Sequence, residues 1–268
     1  MDGGSTDGTL EVLHRYPHLQ IYSQPDEGIY DALNKGAGLA HGNIIGFLNT
    51  DDRYEPDIFG IVVQQFSAHP EIVAVVGGAS IYSENSQGER ATVASFPCVP
   101  PNELLVRATQ GAPIFNAWFF RKRLFEELGG FDNRYRYVAD REFLIRMAFR
   151  ENTFACLERT VYHYRMHPGS FTLSGQDSGE AGYMFESRAL AERFLRLRST
   201  SPETYRCFQD WHSQITAEQI RTAVHKRAFH RAFGYMLVGL RYNLGWPKVF
   251  WREAVKWLTE SGEGSISN

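Results

Sequence analysis

Apolar residues recur with two different periods along this chain, and the alternation of those periods outlines its elements. Ile44-Ile45-Gly46-Phe47-Leu48 is a short apolar run, β-branched at two positions, of the length of a buried strand. Leu19-Gln20-Ile21-Tyr22, Ile72 to Val76, Phe154–Leu157 and Thr160–Arg165 also read as strands. Between them the spacing turns helical. A short helix is predicted around Leu10 and Leu13, with Ser5, Thr6 or Asp7 as its cap. A second runs from Ile29 to Ala40, with Ile29, Leu33, Ala37 and Ala40 on one face. A third starts near Pro56 and runs to about Ala68. Arg121 to Leu128 forms another, stopped by Gly129-Gly130, and Ala139 to Arg150 forms one with Phe143, Leu144 and Met147 on its apolar face. Strands and helices thus alternate at short intervals, which predicts a parallel α/β sheet. Residues 79–97 read as irregular strands and turns. The Gly/Ser-rich stretch Ser170 to Gly182 predicts a boundary, which gives a domain over 1–178 and a helical region over 179–268.

The 268 residues, 43% hydrophobic, suffice for one large domain or a domain with an appendage. Net charge is -3 and gives no bulk electrostatic reason to expect nucleic acid as a partner. The charge is divided, however: residues 1–178 carry a net of -7 and residues 179–268 a net of +4. An acidic front half suits a cation site, and a basic back half suits an anionic surface. Cys98, Cys156 and Cys207 have no metal-site spacing, and an odd number makes a poor disulfide framework, so a reducing cytoplasm is the expected compartment. No signal peptide and no apolar run near the length of a membrane span is legible.

Chemistry concentrates in four places. Asn49-Thr50-Asp51-Asp52 follows the buried strand, and ligands of open α/β sheets bind beyond such strand ends. Paired carboxylates there form a candidate oxygen site for Mg²⁺ or Mn²⁺, although an acidic pair on such a loop also serves as a helix cap or a solvated turn. The acid-and-glycine opening Asp2-Gly3-Gly4-Ser5-Thr6-Asp7-Gly8 suits a carboxylate that accepts from a nucleobase or ribose, or simply a flexible start; it lacks both the dinucleotide and the P-loop glycine spacing. Asp140 opens an amphipathic helix, where it can cap the helix or act as a general base. His167 stands beside Pro168-Gly169, either as surface structure or within reach of a diphosphate or metal.

Together these stretches resemble family 2 glycosyltransferases. Asp2-Gly3-Gly4-Ser5-Thr6-Asp7-Gly8-Thr9 is similar to the D-G-S-x-D-G-T signature of that family. Pro25-Asp26-Glu27-Gly28-Ile29-Tyr30-Asp31-Ala32-Leu33-Asn34-Lys35-Gly36 resembles P-D-x-G-I-Y-D-A-x-N-K-G, and Leu48-Asn49-Thr50-Asp51-Asp52 resembles an L-N-x-D-D form of the DxD motif. Gly129-Gly130-Phe131-Asp132 and Ala139-Asp140 through Arg146 are similar to the acceptor-side motifs, so the resemblance covers residues 1 to about 172. It implies a GT-A fold, a Rossmann-like mixed sheet flanked by helices, here with a C-terminal helical extension. It implies a metal-dependent inverting transfer of a sugar from a nucleotide-diphospho-sugar to a hydroxyl of a glycan or glycolipid, in cell-surface polysaccharide or glycolipid synthesis. Asp2 would face the base or ribose of the donor, with Asp31, Asn34 and Lys35 lining its pocket. Asp51 and Asp52 would hold ribose and metal-bound diphosphate, Asp52 as the direct ligand, and Asp140 would be the base. Two departures stand out. Asn49 replaces the first acid of a D-x-D-D string. The family pattern also opens with a strand bearing a P-x-Y-N-like motif, whereas this chain opens at the D-G-S signature. The expectation is therefore a domain lacking its usual first strand, through a start that lies upstream, or else a non-catalytic relict or scaffold. A metal-dependent phosphotransfer or nucleotidyl-transfer enzyme is a third class.

The region 183–268 holds Trp211, Trp246, Trp251 and Trp257. From Pro247 onward, Phe250, Trp251, Ala254, Trp257 and Leu258 fall on one side and Lys248, Arg252 and Lys256 on another. This pattern predicts either peripheral contact of residues 246–260 with the inner face of an anionic membrane, or a face packed on protein.

Overall fold

The computed structural model describes residues 1–150, 153–167, 177–197, 201–248 and 250–251. They fall into two compact units, Met1–Gln176 and Asp177–Asn268.

In the first unit the helices are α1 (Thr9–Leu13), α2 (Ile29–Leu39), α3 (Ile58–Ala68), α4 (Leu104–Gln110), α5 (Lys122–Glu127) and α6 (Ala139–Ala148). The strands are β1 (Ile44–Gly46), β2 (Arg53–Tyr54), β3 (Ala74–Glu84), β4 (Arg90–Phe96), β5 (Trp118–Arg121) and β6 (Phe154–Met166). They form one sheet in the order β1-β5-β3-β6-β2, with β4 also paired to β3. Only β3 and β6 run parallel; the other pairs are antiparallel. The parallel sheet expected from the alternation is therefore corrected to a mixed one.

The physical reason lies in the returns. Residues 79–97 are a hairpin whose register shifts between Ile81 and Tyr82, as the irregular strands and turns expected there allow: the Asn85 side chain accepts from the backbone N–H groups of Gln87 and Glu89, and Gly88 turns at φ +79°. Likewise Phe154–Leu157 and Thr160–Arg165 join into the single strand β6, whose register on β3 shifts around Gly77 and Gly78. A Cβ on Gly77 would stand 2.2 Å from Val161 Cγ1. Gly77→Ala is expected to cost about 1–3 kcal/mol, read as a lower urea midpoint at unchanged slope.

The predicted strand at Leu19–Tyr22 reduces to one bridge, Asp2 beside Ser23, closed by Asp2 N–H to Tyr22 and Gln24 N–H to Asp2. A strand needs a partner, and Asp2 is the single residue alongside. At the far end of the sheet, β1 pairs with β5 on one edge; among the described residues no strand pairs with its other edge. Next to that edge lies α2, whose apolar face is only partly covered: Ala37 is buried and Ile29 is exposed.

Two cores sandwich the sheet. Ile58, Val62 and Phe66, spaced one helical turn apart on α3, pack on Val75, Phe119 and Tyr162. On the opposite face, Phe120 and Phe115 meet Phe125, Phe131 and Phe143, with ring centroids 5.1 to 5.7 Å apart. Phe119 and Phe120 serve the two faces by strand alternation. Cys98, just past β4, and Cys156, on β6, are joined in a disulfide with Cα atoms 5.8 Å apart. The expectation of no disulfide is thus corrected. The two cysteines are 58 residues apart in sequence, but β4 and β6 both pair with β3, which brings them together.

The second unit comprises α7 (Asp177–Leu195), α8 (Pro202–His225) and α9 (Phe229–Tyr242). Ser201 caps α8 by accepting from Thr204 N–H, with Pro202 in the first turn. Gly239 lets α9 approach the buried Trp246 ring, where a Cβ would lie 2.8 Å from it. His212 is fully buried beside Glu192 and Tyr242, and burial pushes its pKa down to about 4. Its folded pKa lies below its unfolded one, so the stability it confers is present above about pH 6.5 and is lost as pH falls toward 4. His212→Gln should flatten this slope in thermal melts taken between pH 7 and pH 4; an unchanged slope would assign it to other groups. No helix among the described residues is long and apolar enough to cross a membrane. Of the 246–260 segment, residues 246–248, 250 and 251 are described, and the remainder lies outside the described residues.

Candidate functional site

Strand β1 delivers the chain to a turn at Asn49–Asp52, where Asp52 N–H bonds to Asn49 O. The two carboxylates then part. Asp52 points into the protein: Oδ1 accepts from Arg165 N–H at 2.7 Å, and Oδ2 accepts from Asn49 Nδ2 and from the Tyr162 hydroxyl. Burial raises its pKa against those bonds. Asp51 is more open, and its Oδ2 lies 2.7 Å from His167 Nε2. It lines a cavity of about 650 Å³ whose opposite wall is the apolar face of α2, including Ile29, Leu33 and Ala37.

Met1 lines the same cavity, and Asp2 follows it in a tightly bonded turn. The Asp2 carboxylate accepts from the Ser23 and Ser5 hydroxyls and from the N–H groups of Gly4 and Ser5, which hold its pKa at about 2, Ser23 having the largest effect. Asp2 thus organises the opening loop against Ser23.

Helix α2 connects the remaining residues. Asp31 pairs with Lys35 at 2.8 Å, which lowers its pKa, and Lys35 also donates to Pro25 O. Asn34 clamps Phe131: its Nδ2 donates to Phe131 O at 2.9 Å, and its Oδ1 accepts from Phe131 N–H at 2.8 Å. The close Gly130, at φ +67°, leaves room for that amide. Tyr30, one turn earlier, hydrogen-bonds Asp140. Asp140 stands in the first turn of α6, accepts from Arg141 N–H at 2.7 Å, and has its pKa raised by burial.

The structure therefore places Asp51 on the cavity with His167 beside it, and Asp31, Asn34 and Asp140 around α2. Asp52 and Asp2 have carboxylates already bonded to protein donors.

Several partners escaped the sequence reading. Tyr162 bridges Asp52 and Asn116. Arg141 is buried and donates to the carbonyls of Ala108, Thr109 and Gly111, fixing the end of α4 beside α6. Glu142, also buried, pairs with Arg146 at 2.7 Å, which in turn bonds the carbonyls of Leu128 and Gly130. A signal existed: three charges in Asp140-Arg141-Glu142 beside Phe143-Leu144-Ile145 leave no polar face wide enough to solvate all of them.

The Asp51 carboxylate is a hard oxygen donor that fits Mg²⁺ or Mn²⁺, and the His167 imidazole is a borderline nitrogen donor that Mn²⁺ accepts more readily than Mg²⁺. Among the described residues no group of three or more His, Cys, Asp or Glu is arranged around one point. The arrangement suits a cation that keeps other positions for phosphate oxygens rather than a closed protein cage.

A mixed sheet flanked by helices, with acids at the carboxyl end of a strand beside a cleft, is the architecture of the GT-A glycosyltransferases. Residues 1–129 match the family model of glycosyl transferase family 2, so this part of the chain is similar to that family. A PGL/p-HBAD biosynthesis glycosyltransferase of Mycobacterium bovis is 33% identical over 152 residues, covering 54% of this chain and 56% of the relative. The chain thus matches about half the length of this curated relative. Among solved structures, S. aureus TarS 1–349 in complex with UDP-GlcNAc aligns at TM-score 0.56 and 14% identity, over 82% of this chain and 62% of TarS. The mannosyltransferase PcManGT from Pyrobaculum calidifontis, in complex with GDP-Man and Mn²⁺, aligns at TM-score 0.53 and 18% identity, over 96% of this chain and 76% of PcManGT. At these identities the structures speak for the fold.

Proposed function

We propose that this protein transfers a sugar from a nucleotide-diphospho-sugar to a hydroxyl of a glycan or glycolipid, with inversion at the anomeric carbon. The observation that carries this reading is the position of Asp140. It is a carboxylate of raised proton affinity bonded to Tyr30 on α2, the helix whose next residues wall the cavity holding Asp51. The acceptor oxygen attacks the anomeric carbon, the carbon–oxygen bond to the diphosphate breaks, and the hydroxyl proton passes to Asp140. Asp51 and His167 would hold a Mg²⁺ or Mn²⁺ ion, with Asp52 bracing the turn through Tyr162 and Arg165; such an ion offsets charge on a leaving diphosphate. Asp31 and Lys35 set the donor side of α2, Asn34 fixes the Phe131 turn, and Asp2 shapes the opening loop near the nucleoside. That the related structures hold UDP-GlcNAc, or GDP-Man with Mn²⁺, supports the class of donor and the class of cation. The cytoplasmic location expected from the cysteine count loses that support with the Cys98–Cys156 disulfide, and cell fractionation tests it.

Incubating the chain with a nucleotide-sugar panel and acceptor glycans or glycolipids should release nucleoside diphosphate and label the acceptor. Chelation should abolish labelling, and Mn²⁺ or Mg²⁺ should restore it. Nucleotide consumed without sugar transfer would point to phosphotransfer, and donor binding without turnover to a binding module; either result overturns the proposal. Retained anomeric configuration in the product would overturn inversion alone.

A further inference from the structure

Helix α9 of the second unit presents an apolar stripe that its own fold does not cover. Ala232 and Gly239 face inward and are buried. Beside that buried face, Phe229, Phe233, Met236, Leu237 and Leu240 recur at helical spacing and are all exposed, Phe233 at 61%, and Leu244, just past the helix end, is exposed at 87%. Single exposed apolar residues need no explanation, but a continuous stripe of this length does. The charge around it is one-sided. From residue 219 to residue 251 there is no Asp or Glu, while Arg221, Lys226, Arg227, Arg231, Arg241 and Lys248 are present. On a helical projection His230 and Arg241 lie along the outer border of the stripe, while Arg231 falls on the far side of the helix. An apolar face bordered by cations is the pattern of a helix lying in the interface of an anionic bilayer.

We propose that the exposed face of α9 docks on an anionic lipid surface, with the phenylalanines and leucines entering the acyl boundary and the bordering cations meeting the headgroups. A second copy of the chain fits less well, because a two-fold contact through this stripe would set two acid-free, basic borders against each other.

The test uses the full chain and phosphatidylcholine vesicles with and without phosphatidylglycerol, in a co-sedimentation assay. The wild type should bind the anionic vesicles and lose binding at high salt. F233E/L237E and, separately, H230E/R241E should each weaken binding about tenfold or more. All four side chains are exposed, so helical circular dichroism should match the wild type. The proposal is overturned if either double variant binds like the wild type, or if phosphatidylglycerol makes no difference. It is also overturned if light scattering shows a lipid-free dimer that F233E/L237E dissociates. The readout is partitioning rather than turnover, so it stands or falls independently of the sugar-transfer reading.

Discussion

Replacing Asp140 by asparagine is expected to lower turnover by about 10²–10⁴-fold while leaving donor affinity within a factor of about two. Asparagine keeps the size of the side chain and an oxygen that can still accept from Arg141 N–H. What it removes is the capacity to take a proton. The pH profile gives a second, independent readout. Burial raises the Asp140 pKa, so the active carboxylate form is lost on acidification at a higher pH than for an ordinary aspartate. The bond from Tyr30 acts in the opposite direction and favours the ionised form. Tyr30→Phe should therefore shift the acid limb of kcat/KM further upward, with a smaller loss at high pH. A residue that merely capped α6 would lose stability on substitution without moving that limb. Turnover of D140N within tenfold of the wild type would refute the assignment.

The helical faces were legible because they depend on spacing within one segment. Ile29, Leu33 and Ala37 on α2 line one wall of the cavity as their spacing predicts, whereas on α6 Phe143, Leu144 and Met147 are buried as expected but so are Arg141, Glu142 and Ile145, beyond the predicted face. Asp51 and His167, 116 residues apart, were both named as candidate ligands, and the fold sets them 2.7 Å apart. Strand pairing was not legible, since nothing local in Ala74–Glu84 says that β5, β4 and β6 will all lie against it. The disulfide follows from that same long-range pairing, and counting cysteines pointed away from it. The two adjacent acids were equally hard to separate: Asp52 turns inward only because Tyr162 and Arg165 arrive from β6 to meet it. The buried Arg141 escaped because its partners are backbone carbonyls at the end of another helix, and carbonyls leave no mark in a sequence.

Phe143→Ala should cost about 3–5 kcal/mol, the largest stability loss expected from a single truncation in the first unit. The ring is fully buried and lies 5.1 Å from Phe125, 5.4 Å from Phe120, and 5.7 Å from both Phe115 and Phe131. Its removal deletes edge-to-face contacts with Phe115 and Phe120 and tilted contacts with Phe125 and Phe131, and four neighbours held by their own backbones cannot all close on the space. For a unit of this size the loss corresponds to a melting temperature lower by about 10 °C. The consequence for the site follows from what those rings hold. Phe47, just after β1, packs on Phe115, Phe125 and Phe131, and so fixes the strand end that leads to Asp51. Phe143 itself is one turn from Asp140 on α6. The same aromatic cluster therefore sets the position of the base and that of the cation-side acid. A Phe143→Leu variant keeps most of the apolar volume and should recover much of the stability. If positioning depends on the rings, F143L should keep donor affinity while turnover falls. Equal turnover in F143L and wild type would mean that apolar volume alone suffices to align the two sides of the cavity.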